Sequence, residues 1–181
     1  MRCLAAGLVL SLACAGLTAK ADISGLPEAT RSTLEARATG MTAALLTGDA
    51  EGLFDFLPPP LIAQMAALLG QSPAEFRARF IDNLENNRPG TGITEHRLDL
   101  SGATLFQGDD GLSYVMVPTK SRAFDPFRGK FRVSGTTVAI PASDTWHFFT
   151  ISDVGALDLL VAAYPALADA PLVPVTLTPE P

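Results

Sequence analysis

The stretch "DTWHFFTISD", Asp144–Asp153, holds the only Trp of the 181-residue chain and one of its two His. From Thr145 to Ile151 the pattern has period two, the spacing of a β-strand. Trp146 and Phe148 then share one face, and His147, Phe149 and Ile151 share the other. Both faces are apolar, so the strand belongs to a sheet covered on both sides. One face can pack on helices. The other must meet a pocket, the C-terminal helix or a second subunit, because a face so apolar is costly to leave wet.

Upstream, the same period extends back to Ile93. Thr94, His96, Leu98 and Leu100 alternate with Glu95, Arg97 and Asp99, and Gly102 suggests a bulge before "ATLFQ". "GDDG" at 108–111 reads as a turn. "LSYVMVP" and "GKFRVSGTTVAI" read as further strands, the second ended by a "PASD" turn. Before Ile93 the period is helical. Leu34, Ala38, Met41 and Leu45 lie on one face of a helix that begins after Pro27 and stops at Gly48. Asp49 caps a short helix with Leu53, Phe54 and Leu57, which "PPP" at 58–60 ends. A third helix covers about 61–69. "SPAE" at 72–75 is a capping box with Pro at the first helical position, opening a helix that turns Phe76, Phe80, Ile81 and Leu84 inward and frays at "ENNRPGTG". Downstream, Asp153 caps a short last helix, followed by a proline-rich extended tail from about 171. Helices first and strands second predict an α+β domain, with N-terminal helices packed on one face of an antiparallel meander sheet.

The first 22 residues, "MRCLAAGLVLSLACAGLTAKAD", read as a signal peptide. Arg2 gives the positive start, Leu4–Leu17 is too short to span a bilayer, and Ala19-Lys20-Ala21 fits a cleavage site. The expectation is a leader at 1–21 and a single exported domain at 22–181, periplasmic or secreted. The alternative is a lipoprotein anchored through Cys14, although Ser11 stands where a lipobox has Leu. Both cysteines, Cys3 and Cys14, leave with the leader, so the exported chain has no thiol, disulfide or thiolate metal site. Of 13 Lys+Arg, Arg2 and Lys20 also leave; 11 remain against 19 Asp+Glu, a net charge of −8. That acidity argues against nucleic-acid binding. No later run is long and apolar enough for a transmembrane segment.

The segments "GDAEGLFDFLPP" (48–59), "YVMVP" (114–118), "VAIPASDTWHFF" (138–149) and "LVAAYPALADAPLVP" (160–174) together resemble small exported bacterial proteins of the NTF2-like (SnoaL-like, cystatin-like) superfamily. The likeness covers most of residues 40–175. It implies a cone in which a curved sheet wraps helices around an apolar pocket, often as a dimer across the outer sheet face. Isomerases, dehydratases, hydrolases and non-catalytic binding domains all use that fold, so fold alone does not choose among them.

Tyr114, Trp146, His147 and Phe149 are the candidate ligand-binding residues, as side chains able to face such a pocket. An isomerase- or hydrolase-type pocket would use Tyr114, His147 or Asp99 as donor or base. The simpler reading makes His147 and His96 half-buried strand histidines and Asp99 part of a solvated face. No HxH or HExxH spacing is present, and no metal or other cofactor is expected. "TKSRAFDPFRGKFR" (119–132) concentrates Lys120, Arg122, Arg128, Lys130 and Arg132 among three Phe. It is a candidate patch for an anionic partner, or a solvated strand paired with the excess acids. Arg128, Lys130 and Arg132 share a face if all three lie in one strand; whether Lys120 and Arg122 join them depends on hairpin register. The function expected is exported, non-catalytic binding. The bound partner is an apolar small molecule in the cone or an envelope protein on the sheet face, a second copy included.

Overall fold

The computed structural model describes residues 21–86, 92–108 and 110–180. Residues 1–20, which hold nearly all of the expected leader, lie outside the described residues, as do most of the "ENNRPGTG" segment, Asp109 and Pro181. The described residues form five α-helices and seven strands, and the helices follow the order read from the sequence: α1 (Glu28–Thr47), α2 (Ala50–Asp55), α3 (Pro59–Leu68) and α4 (Pro73–Asn86) precede most of the sheet, and α5 (Val154–Ala163) follows most of it. The strands are β1 (Ala21–Asp22), β2 (Gly92–Leu98), β3 (Thr104–Gln107), β4 (Ser113–Asp125), β5 (Gly129–Ala142), β6 (Thr145–Thr150) and β7 (Thr176–Pro179). The fold is α+β, its antiparallel sheet curled into a half-barrel compatible with a cone.

Local chemistry sets the helix ends. Gly48 stops α1 at φ 71°, a left-handed conformation that costs glycine nothing. Asp49 accepts from Gly52 N at 2.9 Å to cap α2. Before α4 the capping box is reciprocal: Ser72 Oγ accepts from Glu75 N, and Glu75 Oε2 accepts from Ser72 N at 2.7 Å. The proline run does more than end α2. Pro59 and Pro60 are the first residues of α3, where a missing N–H is harmless. Of the four residues expected to face inward from α4, Phe76 is buried, while Phe80, Ile81 and Leu84 are half-buried. Phe76 and Phe80 pack with Phe54 in a satellite core between α2, α3 and α4.

The spine of the sheet is the long β4–β5 hairpin. One edge of β4 carries β3 near its start and β2 near its end. The free edge of β5 carries β6 beside Thr137–Ala142 and β7 beside Phe131–Ser134. Three expectations need correction here. Gly102 closes a 3₁₀ turn, Leu100–Gly102, which takes Leu100 out of the strand. The bulge lies instead between Ile93 and Glu95, so Thr94 leaves the alternation. The proline-rich tail is not merely extended: it adds β7 to the sheet. It reaches β5 by crossing Gly135, where a Cβ would lie 2.8 Å from Val175 Cα; only glycine leaves room for that crossing.

Odd-numbered residues of β4 face α1. Val115, Val117, Ala139, Trp146 and Phe148 pack there with Leu34, Ala38 and Met41. Even-numbered residues face the other way, where Tyr114, Met116, Val138, Ile140 and Ile151 pack with Leu160, Tyr164 and Leu167. The second apolar face of β6 is therefore covered by α5 and the turn after it, not left open, and helices lie on both faces of the sheet. Arg37 ties the free edge of β6 to the helices. Its Nε donates to Trp146 O at 3.1 Å, its Nη2 to Asp55 O at 3.2 Å, and its guanidinium lies 4.1 Å from the centre of the Phe56 ring.

Candidate functional site

The α5 cover buries Tyr114 completely. Its hydroxyl donates to the Asp110 carboxylate. Burial, then this hydrogen bond and the Asp110 charge, push its pKa well up. Tyr164 meets it edge-on at 6.1 Å; burial pushes that phenol up to about 12, and its hydroxyl has no partner among the described residues. His147 lies on the same sheet face, on the far side of β5, where its pairing partner is Ile140. Two strand spacings, about 10 Å, separate its strand from that of Tyr114, and Ile140 fills the row between them. Burial first, then the Arg37 charge, lower the His147 pKa, against a backbone hydrogen bond at Leu57. Phe149 is half-buried beside the α5 cluster. Trp146 points to the opposite face, 3% exposed, and its indole N–H donates to Thr30 O at 3.2 Å.

Asp99 follows β2 as a half-buried residue, where Ser101 Oγ donates to its carboxylate at 2.6 Å and lowers its pKa. Tyr114, His147 and Asp99 therefore stand in three separate environments, with no hydrogen bond joining any two.

Register also creates a pairing that no sequence spacing announces. His96 sits opposite Ser121, its Nδ1 2.8 Å from Ser121 Oγ. A hydroxyl chain runs alongside it: Thr119 donates to Thr137 at 2.8 Å, and Thr137 bonds Thr150 at 2.8 Å. The pair resembles a nucleophile and base, but His96 Nε2 is buried without a partner, so nothing orients the ring as a base. Among the described residues, no three His, Cys, Asp or Glu side chains are placed to hold a metal.

Burial lowers the pKa of both histidines from 6.5. An unfolded histidine takes up its proton near 6.5, and the folded ones resist it. The stability they contribute is whole above pH 6.5 and is lost as pH falls below it. The denaturation midpoint is thus expected to drop between pH 7 and about 5, above the range where the carboxylates titrate. Urea titrations of the wild type and of His96→Gln/His147→Gln check this; the double variant should lose most of the drop.

The outer half of the hairpin has a different character. Arg122 stands opposite Arg132, Phe124 opposite Lys130, and Lys120 opposite Ser134. This register puts Lys120, Arg122, Lys130 and Arg132 on one face. Arg128 departs from the expectation: it lies in the turn before β5 begins at Gly129, so it does not share that face as a strand residue. Directly opposed arginines repel. Glu180, brought in by β7, answers this with Oε1 at 2.9 Å from Arg132 Nη2 and 3.3 Å from Arg122 Nε. Glu95 adds a 2.8 Å pair to Arg122. Lys120, Arg128 and Lys130 have no ion pair among the described residues.

An open cleft of about 450 Å³ runs between Thr94, Glu95, Arg122, Phe124, Lys130 and Glu180. On the opposite side of the same hairpin lies an apolar groove of about 260 Å³ over Ile93, Ala123, Phe131 and Leu177. A third cleft, about 490 Å³, opens at the β5–β6 turn, where Ser143 and Asp144 adopt φ 49° and 63°. Its wall includes Trp146, but the indole donor is already committed to Thr30.

No protein-family model matches the chain, and a search of curated proteins finds no match.

Proposed function

We propose that this chain is an exported, non-catalytic binding module of NTF2-like type that docks an anionic partner through the outer end of the β4–β5 hairpin. One observation carries the reading: charge is segregated. Lys120, Arg122, Arg128, Lys130 and Arg132 gather there against Glu95, Asp125 and Glu180. From Asp22 onward that leaves six basic residues against 16 acidic ones for the rest of the chain. A local cationic field on an acidic body selects and orients an anionic partner.

Two further features favour surface docking. The space between α1 and the sheet is filled by Leu34, Ala38, Met41, Val115, Val117 and Phe148, which supports a surface over a small molecule held in the cone. The separation of Tyr114, His147 and Asp99 gives a pocket enzyme no convergent acid–base pair. Export rests on the leader read in residues 1–21.

The test uses a surface that an acidic protein should ignore. With a sequence pI of about 4.8, the protein should nevertheless be retained at pH 7 and low salt on a sulfonate cation exchanger. Lys120→Gln/Arg128→Gln/Lys130→Gln removes the cations that hold no ion pair, leaves the Glu180 bridge intact, and should flow through. Flow-through of the wild type would sink the proposal.

A further inference from the structure

We infer that the anionic partner is a lipid bilayer and that Phe127 is the side chain that enters it. This inference rests on the docking proposal above and narrows it to one partner.

Phe127 occupies the tip of the β4–β5 turn and is 96% exposed. The turn that presents it is braced from within. Asp125 Oδ1 accepts from Phe127 N at 2.8 Å and from Arg128 N at 3.0 Å, so the apex has a built geometry. Both backbone donors at the apex are thereby satisfied, which lowers the cost of taking them out of water. Asp125 has the same carboxylate engaged in holding the turn.

Apolar and cationic groups are layered behind the tip. Phe124 is 42% exposed and Leu177 56% exposed, and Leu177 continues into the groove over Ile93 and Phe131. Lys130 is the second residue of β5, directly behind the turn that carries Phe127 and Arg128, and Arg122 and Arg132 stand two strand residues, roughly 7 Å, further back. An interfacial anchor buries its apolar part roughly 5–10 Å into the headgroup and acyl boundary. With Phe127 at that depth, Arg128 and Lys130 reach the phosphates, their long stems letting the charged ends stay in the polar layer.

The rest of the molecule reinforces this orientation. The acidic body is repelled by an anionic surface, so the hairpin is the one end that approaches it. An acidic protein partner would satisfy the cations equally well, but would leave a fully exposed Phe at the apex without a role unless it also supplied a pocket. A bilayer accepts that side chain without one.

The experiment is co-sedimentation with vesicles of equimolar phosphatidylglycerol and phosphatidylcholine, against phosphatidylcholine alone. The chain from Asp22 is used, so that the apolar leader does not itself partition; it keeps all the described elements except the first residue of β1. The wild type is expected to sediment with the anionic vesicles only, and to be released by salt as surface charges are screened. Phe127→Ala should weaken binding about tenfold, as loss of one inserted aromatic implies. Lys120→Gln/Arg128→Gln/Lys130→Gln should abolish it.

A chain from Asp22 has no cysteine, so Phe127→Cys carries a single polarity-sensitive dye, whose emission should shift to the blue on anionic vesicles. Failure to sediment, equal binding by Phe127→Ala, or a dye that stays in water would each overturn the inference. If the sulfonate column retains the protein and the vesicles do not, docking stands and the partner is another acidic macromolecule. If neither surface holds it, both readings fall.

Discussion

Trp146→Ala is expected to lower the unfolding free energy by about 3–5 kcal/mol, the range for truncating a large buried aromatic. The indole is 3% exposed, against Leu34, Ala38 and Phe148, on the face of β6 that packs on α1. Truncation empties that volume and leaves Thr30 O without its indole donor. It also loosens the strand whose Trp146 carbonyl accepts from Arg37. Trp146→Phe separates the contributions: it keeps most of the apolar area, loses the hydrogen bond and should cost less than half as much. Circular dichroism in urea is the measurement, because the variants remove the only tryptophan fluorophore. An unchanged midpoint for Trp146→Ala, with binding lost, would make Trp146 a ligand contact and contradict its place in the core.

That Trp146 belongs to a strand was legible from alternation alone, because period two is a local property. The same holds for Ser72 and Glu75, whose capping box spans one helical turn, and for Asp153, which caps α5 through Ala156 N at 2.8 Å. What was not legible depends on register between distant segments. "TLTP" at 176–179 becomes β7 because β5 offers a free edge where β6 ends, a fact written nowhere in the tail itself. Glu180 bridges Arg122 and Arg132 from 58 and 48 residues away. His96 meets Ser121 only through the register of β2 on β4, set between segments more than 20 residues apart. The cationic segment was visible as composition. Its face was not, because Arg128 falls in the turn and the register decides that Lys120 and Arg122 join Lys130. Covering of the second face by α5 was one of three outcomes that the pattern of β6 permitted, and chain connectivity rather than hydrophobicity chose it.

Alkaline stability gives the other large effect, since the protein's two tyrosines are both buried in the α5 cluster. A phenol ionises near 10.0 when free. Tyr164 is pushed up to about 12 by burial, and Tyr114 is raised as well, by burial and by donating to Asp110. Above pH 10 the unfolded chain gives up these protons while the folded chain keeps them. The folded state then binds more protons, so stability is whole below pH 10 and falls as pH rises toward 12. With two groups the slope approaches about 2.7 kcal/mol per pH unit, enough to unfold a typical domain within that window. Absorbance of tyrosinate reports both groups, and the expected trace is flat through pH 10, then steep, coinciding with loss of circular dichroism. A gradual rise centred on pH 10 with the fold intact would show that the phenols are wet and the α5 cover open. Tyr164→Phe refines the test. Its hydroxyl has no acceptor among the described residues, so removing it should cost nothing at neutral pH, or stabilise, because a buried donor without a partner is itself a penalty. The same variant should halve the alkaline slope, whereas Tyr114→Phe should halve it too but cost stability at neutral pH, because it gives up the hydrogen bond from the buried phenol to Asp110.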